Sequence, residues 1–284
     1  MNENMKNLQK WVGRTEERND TITETPIQGM EALLDKVESP HHKTKELPLA
    51  SHWLYFLPKY RQSEIGLDGH KLLGEFLPPV ALPRRMWAGG RLNFLNPLYI
   101  GDHLKKISRI KKIKHVTGKT GDLVFVIVNH EIIKDNQILI EEDHDIVYRS
   151  APKVGDPVPK IKSPPGNADW SRIVNPDPVF LFRYSALTFN SHKIHYDRKY
   201  VMEEEGYPGL VVHGPLLATL LLDLVNSEVP SRKVKIFDYR AVRPVFDTSI
   251  FSINGKLNGD NGATLWTTNN DGSLAMIADV EFLI

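Results

Sequence analysis

Apolar residues recur along this chain with two different periods, and the change of period marks the predicted elements. "HGPLLATLLLDLVNS", His213–Ser227, is apolar nearly all round, with Leu216, Leu217, Leu220, Leu221, Leu222 and Leu224 covering most directions of a helix. Pro215 falls where a first helical turn tolerates it. A helix of this kind must be buried on most sides. A second helix is predicted at "TPIQGMEALLDKV", Thr25–Val37, near a threonine cap with an early proline. Strand-like runs follow each helix: "LVFVIVNHEII" and "ILIEEDHDIVYR" in the first half, "ATLWTTNN" and "LAMIADVEFLI" in the second.

The two halves follow a similar order. "NPLYIGDHLKKISRI" around Asp102 and "RPVFDTSIFSINGKL" around Asp247 each give a proline, apolar residues, an aspartate and a strand-like run. The faint repeat suggests duplication of one unit. Between the halves lies "APKVGDPVPKIKSPPGNADW", Ala151–Trp170, with five prolines and few large apolar residues. Such a stretch connects domains. The division is therefore a first unit over 1–150, a linker over 151–170 and a second unit over 171–284. A curved antiparallel sheet wrapped around one helix would bury each unit's apolar surface, and two units side by side would pair their sheets and cover their edges.

Composition narrows the class. The chain has 284 residues, 41% of them hydrophobic, which is ample for a folded core. A net charge of +1 argues against a nucleic-acid binder, and "KKISRIKKIKH" reads better as an exposed strand face. The absence of cysteine excludes disulfides, zinc–thiolate sites and cysteine nucleophiles. The N-terminal segment lacks the apolar core of a secretory signal, and the longest apolar run, Leu210–Val225, is too short and interrupted to span a bilayer. These features are expected of a cytoplasmic protein with no membrane or nucleic-acid partner.

Candidate chemistry concentrates in "SALTFNSHKIHYD", Ser185–Asp197, directly ahead of the apolar helix. It holds Asn190, His192 and His195 without helical or strand periodicity. A solvated loop is one reading and a catalytic loop packed on a buried helix is the other. His192, His195 and His213 lack a cysteine or carboxylate at ligand spacing, so no metal is expected. "HHK" at His41 and His42 reads as a loop. Gly89 and Gly90 in "WAGG" lack the lysine–serine sequel of a phosphate loop and read as a tight turn.

"HGPLL" opening a buried helix after "TFNSHKIHYD" resembles the MaoC-like (R)-specific enoyl-CoA hydratases. Their motif runs aspartate, any residue, asparagine, proline, an aliphatic residue, histidine. Here Asn190 stands at the aspartate position, His195 at the histidine, and His192 and Lys193 at the asparagine and proline, so the family's acid has become an amide. The chain is more similar to the hydroxyacyl-thioester dehydratases of type 2 and their mesaconyl- and itaconyl-thioester hydratase relatives, through "SALTFN", "IHYD", "RMWAGG", "GDLVFV" and "IVYR".

The resemblance implies an α+β double hot-dog fold, two antiparallel sheets each wrapped around a central helix. It also implies a hydro-lyase acting on an acyl-CoA thioester. Catalytic residues would lie in the second unit only. Coenzyme A enters as part of the substrate, no separate cofactor is expected, and a homodimer stays open. His195 would be the base, since imidazole titrates near neutrality; a histidine bonded to backbone at a domain seam is the alternative. Asn190 cannot take a proton and would position water or substrate. Gly214, at the helix start, would offer its N–H to the thioester oxygen. His213 would line the pocket or cap the helix. Trp87 and Arg91 are candidates for the acyl pocket, and Arg240 and Arg243 for the coenzyme A phosphates. Asp197 is expected to be a cap. A hot-dog thioesterase and a non-catalytic acyl-binding subunit are the competing readings.

Overall fold

The computed structural model of the chain describes residues 7–36, 44–118, 121–150 and 160–283. The expected His41–His42 loop and residues 151–159 of the expected linker lie outside the described residues.

The first half runs β1 (Thr15–Thr21), α1 (Glu24–Leu33), β2 (Arg84–Phe94), β3 (His103–Gly118), β4 (Gly121–Lys134) and β5 (Gln137–Arg149). The second runs β6 (Trp170–Val174), α2 (Pro178–Leu187), α3 (Arg198–Glu203), α4 (Gly214–Glu228), β7 (Val234–Ala241), β8 (Phe251–Leu257), β9 (Gly262–Asn269) and β10 (Leu274–Phe282). All ten strands belong to one antiparallel sheet in the order β1-β3-β4-β5-β2-β7-β10-β9-β8-β6. Each five-strand half mirrors the other about the β2–β7 seam. Asp102 and Asp247 occupy corresponding connections: Asp102 accepts from Tyr99 N–H at 2.8 Å, and Asp247 accepts from Leu210 N–H at 2.8 Å.

The two units pair their sheets as expected, and the Gly89–Gly90 turn is corrected. The two sheets are hydrogen-bonded into one, through Gly89↔Arg240 to Asn93↔Ile236. Gly89 and Gly90 therefore lie in a strand rather than a turn. A Cβ at Gly90 would lie 2.3 Å from the Asp143 carbonyl and 2.5 Å from the Tyr239 hydroxyl, so only glycine admits this seam. The helices differ in length, 15 residues for α4 and 10 for α1. α4 buries eight residues, among them Leu216, Leu221 and Val225, against β6 to β9 and β2. α1 packs chiefly on α2 and on a 3₁₀ turn at Ser51–Leu54. Between Lys71 and Arg84 the chain carries Pro78, Pro79 and Pro83, which forbid a regular helix. Irregular backbone covers part of the first half's sheet, where Val80, Leu73, Phe76, Leu77 and Leu82 pack on Val124, Val126, Ile146 and Tyr148.

Candidate active site

Three helices set the geometry around His195. α2 begins at Asp177, whose carboxylate accepts from Val179 and Phe180 N–H. Its last turn presents Ser185. The chain then turns sharply at Phe189, with φ of 50°. The Asn190 amide oxygen accepts from His192 N–H at 3.0 Å, a side-chain turn that shapes the next three residues. A 3₁₀ turn, Lys193–His195, delivers His195 inward. Asp197 caps α3 through Tyr200 N–H at 3.0 Å, as expected of a cap.

His195 is buried and its Nδ1 donates to the Val211 carbonyl at 2.7 Å. A carbonyl only accepts, so Nδ1 carries the proton and Nε2 carries the lone pair. Burial lowers the His195 pKa to about 4, against the opposing backbone hydrogen bond, so the ring is neutral at neutral pH. His213 stacks on it, ring centroids 3.7 Å apart and 18° between planes. His213 is fully enclosed, and its Nε2 shares a 2.8 Å hydrogen bond with the Ser185 hydroxyl. It neither lines open space nor caps α4 with its side chain; it is the platform beneath His195.

Gly214 is the first residue of α4, and its N–H has no partner inside the helix. Pro215 follows, with no N–H to offer. The space a side chain would fill at Gly214 is taken by Trp87, whose Cε3 would lie 2.2 Å from an added Cβ. Trp87 comes from β2 at a bulge before Gly89, and packs on Tyr239 with centroids 4.7 Å apart. His195, His213, Gly214 and Trp87 are thus brought together from both halves.

Three expected residues stand elsewhere. Arg91 is exposed and paired with Asp238 on the face of the sheet opposite Tyr239. Arg240 follows Tyr239 and is exposed on that same outer face. Arg243 pairs with Asp271 at 3.1 Å, beyond the end of β7.

The sequence reading missed Asp68 and His70. Their loop is locked onto the His195 loop: Lys193 N–H donates to the Asp68 carbonyl at 2.9 Å and the Ser191 hydroxyl to the Gly69 carbonyl at 2.6 Å. Asp68, His70 and His192 place one ligand-type atom each within 4.8 Å of one another. The carboxylate is engaged by its neighbour, accepting from His70 N–H and from His70 Nδ1, both at 2.9 Å. His70 packs on His192 at 3.9 Å, and His192 meets His195 edge-on at 5.4 Å. "LDGH" carries an aspartate–glycine turn signal, but nothing local in it points 122 residues along the chain. A separate concavity of about 730 Å³ between β1 and β3, lined by Asn19, Asp20 and His103, shares no residue with this site.

Comparison with known proteins gives the geometry its context. The sequence profile described as hydroxyacyl-thioester dehydratase type 2 matches residues 50–247. This chain belongs to that family. It is 43% identical over 274 residues to the mesaconyl-C(4)-CoA hydratase of Chloroflexus aurantiacus, covering 95% of this chain and 96% of that one. It is 28% identical over 257 residues to the mitochondrial hydroxyacyl-thioester dehydratase type 2 of Schizosaccharomyces pombe, covering 80% and 85%. The fold matches a MaoC-like dehydratase from Phytophthora capsici with a TM-score of 0.72 at 14% identity, covering 98% of each chain. The dehydratase family and the α+β hot-dog fold are thereby established.

Proposed function

We infer that this protein is a hydro-lyase that adds water reversibly across the double bond of an enoyl-CoA thioester. The observation that carries the reading is His195: buried, neutral, its proton fixed on Nδ1 by Val211, and stacked on His213 at the start of α4, whose first N–H groups have no partner inside the helix. In hydration, water attacks the β-carbon as Nε2 takes its proton. The double-bond electrons move onto the thioester oxygen, where Gly214 N–H and the α4 dipole stabilise the enolate. The His195 imidazolium then returns a proton to the α-carbon, and the carbonyl reforms. Water is consumed, the base is regenerated, and both additions take place on one face.

Asn190 supports this step through its amide NH₂, since its oxygen already holds His192 N–H. His213 holds the His195 ring in place. Burial keeps the His213 pKa well below the ordinary histidine value, so the platform adds no competing charge. The acyl wall comes from both halves, Trp87 from the first and Tyr239 from the second. A short carboxylated acyl group, such as that named for the Chloroflexus relative, is the proposed substrate. All groups used belong to the chain or the substrate, so coenzyme A serves only as carrier. No helix among the described residues is long and apolar enough to cross a membrane, and we place the reaction in the cytoplasm.

The test is enoyl absorbance with mesaconyl-C4-CoA, itaconyl-CoA and crotonyl-CoA, with free thiol followed in parallel. Loss of conjugation without thiol supports the reading. Thiol release would assign the fold to a thioesterase instead.

A further inference from the structure

β2 carries three arginines, and they are not equivalent. Arg84 pairs with Glu205 at 3.3 Å and Arg91 pairs with Asp238. Arg85 has no carboxylate partner among the described residues. It is nevertheless half-buried, where a cation without a counter-ion costs free energy unless something completes it.

Strand register fixes where Arg85 stands. Arg85, Met86 and Trp87 pair without interruption with Tyr148, Val147 and Ile146, the bulge coming only after Trp87. Arg85 and Trp87 therefore project from the same face, about 7 Å apart along the strand. That face is the inner one: Trp87 lies on Gly214, and Tyr148 is enclosed with its hydroxyl against Arg85. The Arg85 charge reaches His70, His144, His192 and the Tyr148 hydroxyl. It thus stands among the His195 loop, the Asp68–His70 loop and β5. None of the histidines there can balance it. Burial, helped by Arg85, lowers His70 and His144 to about 4 and pushes His192 lower still. Asp68, the nearby carboxylate, accepts from His70 and makes no ion pair with Arg85.

We propose that Arg85 binds the free carboxylate of a dicarboxylic acyl group, selecting an enoyl thioester that carries a carboxylate on its β-carbon over a neutral one. The inference rests on the hydratase reading and names the substrate class of that site. With the thioester oxygen at Gly214 and the β-carbon at His195, a β-carboxylate points along β2 from Trp87 towards Arg85. A planar guanidinium offers two parallel N–H donors to it.

The test compares kcat/KM for mesaconyl-C4-CoA with that for 3-methylcrotonyl-CoA, in which a methyl group replaces the carboxylate, and for crotonyl-CoA. Wild type, Arg85→Met and Arg85→Lys are measured, with Arg85→Gln as substitute if the methionine variant does not fold. Arg85→Met should lower mesaconyl-C4-CoA turnover roughly a hundredfold or more and leave the neutral thioesters within about threefold. Arg85→Lys should fall between. Equal loss on charged and neutral substrates, or no loss on either, overturns the proposal. Wild type that hydrates crotonyl-CoA but not mesaconyl-C4-CoA overturns it while the hydratase reading stands. If no enoyl thioester is hydrated, both readings fail.

Discussion

His195 can act as a base because its proton is already placed. The Val211 carbonyl holds Nδ1–H, so Nε2 is basic at every pH where the ring is neutral. Replacing His195 by alanine should lower kcat by about 10²–10⁴ with an unchanged circular dichroism spectrum. The pH profile has a definite sign. The neutral ring is the active form, and burial sets its pKa near 4. Initial rates of hydration at low substrate should stay level from pH 8 to about 5 and fall as pH drops through about 4. A fall centred near pH 6.5 would mean that His195 is hydrated and that the enclosure described above is wrong. Gly214 makes a third prediction: Gly214→Ala drives a Cβ into Trp87, and kcat should drop by at least tenfold.

The Asp68–His70 loop shows that the site is assembled from elements far apart in sequence. Gly69 has φ of +90°, and a Cβ there would lie 1.8 Å from the Ser191 carbonyl. Gly69→Ala should therefore push the loop off the His195 segment and reduce kcat, although Gly69 touches no reacting atom; steady-state kinetics beside a thermal melt would read it. The same contact shows what the sequence could and could not reveal. α4 was legible because leucines on every side admit only a buried helix. His195 and Asn190 were legible through their motif, and the pattern around Asp102 and Asp247 told truly of two similar halves. The 68–70 loop was not legible, because it has no periodicity and its partner lies more than a hundred residues away. The pairing of the two sheets was expected, but not which strands would meet, since alternation along β2 and β7 says that each is a strand and not that each is the other's neighbour. The first half's helix was legible as well: α1 buries Ile27, Met30 and Leu33 in one core with Leu104 and Ile132, while the prolines that follow add irregular cover.

Across the whole molecule, the inner face buries more histidine than a simple apolar core would. His130, His144 and His195 are held at about 3, 4 and 4, each primarily by burial. An unfolded chain would protonate these rings near pH 6.5. Between about pH 6.5 and 4 the unfolded state takes up protons that the folded state refuses. Stability should thus be full above 6.5 and decline as pH falls towards 4. Burial opposes ionisation of Glu142, yet the His52 hydrogen bond at 3.1 Å and the nearby histidines prevail and lower its pKa, adding a loss at still lower pH. Melting temperature measured against pH checks this; a flat or rising trend on acidification would contradict it. Since β2 and β7 unite the halves, unfolding should be one transition at every pH. The central claim, a histidine-based hydro-lyase, is tested most directly by mixing wild type and His195→Ala with mesaconyl-C4-CoA while recording enoyl absorbance and free thiol together. The account predicts loss of the conjugated signal with no thiol for wild type, and almost no change for the variant. Thiol release by wild type, or equal hydration by both proteins, would contradict it.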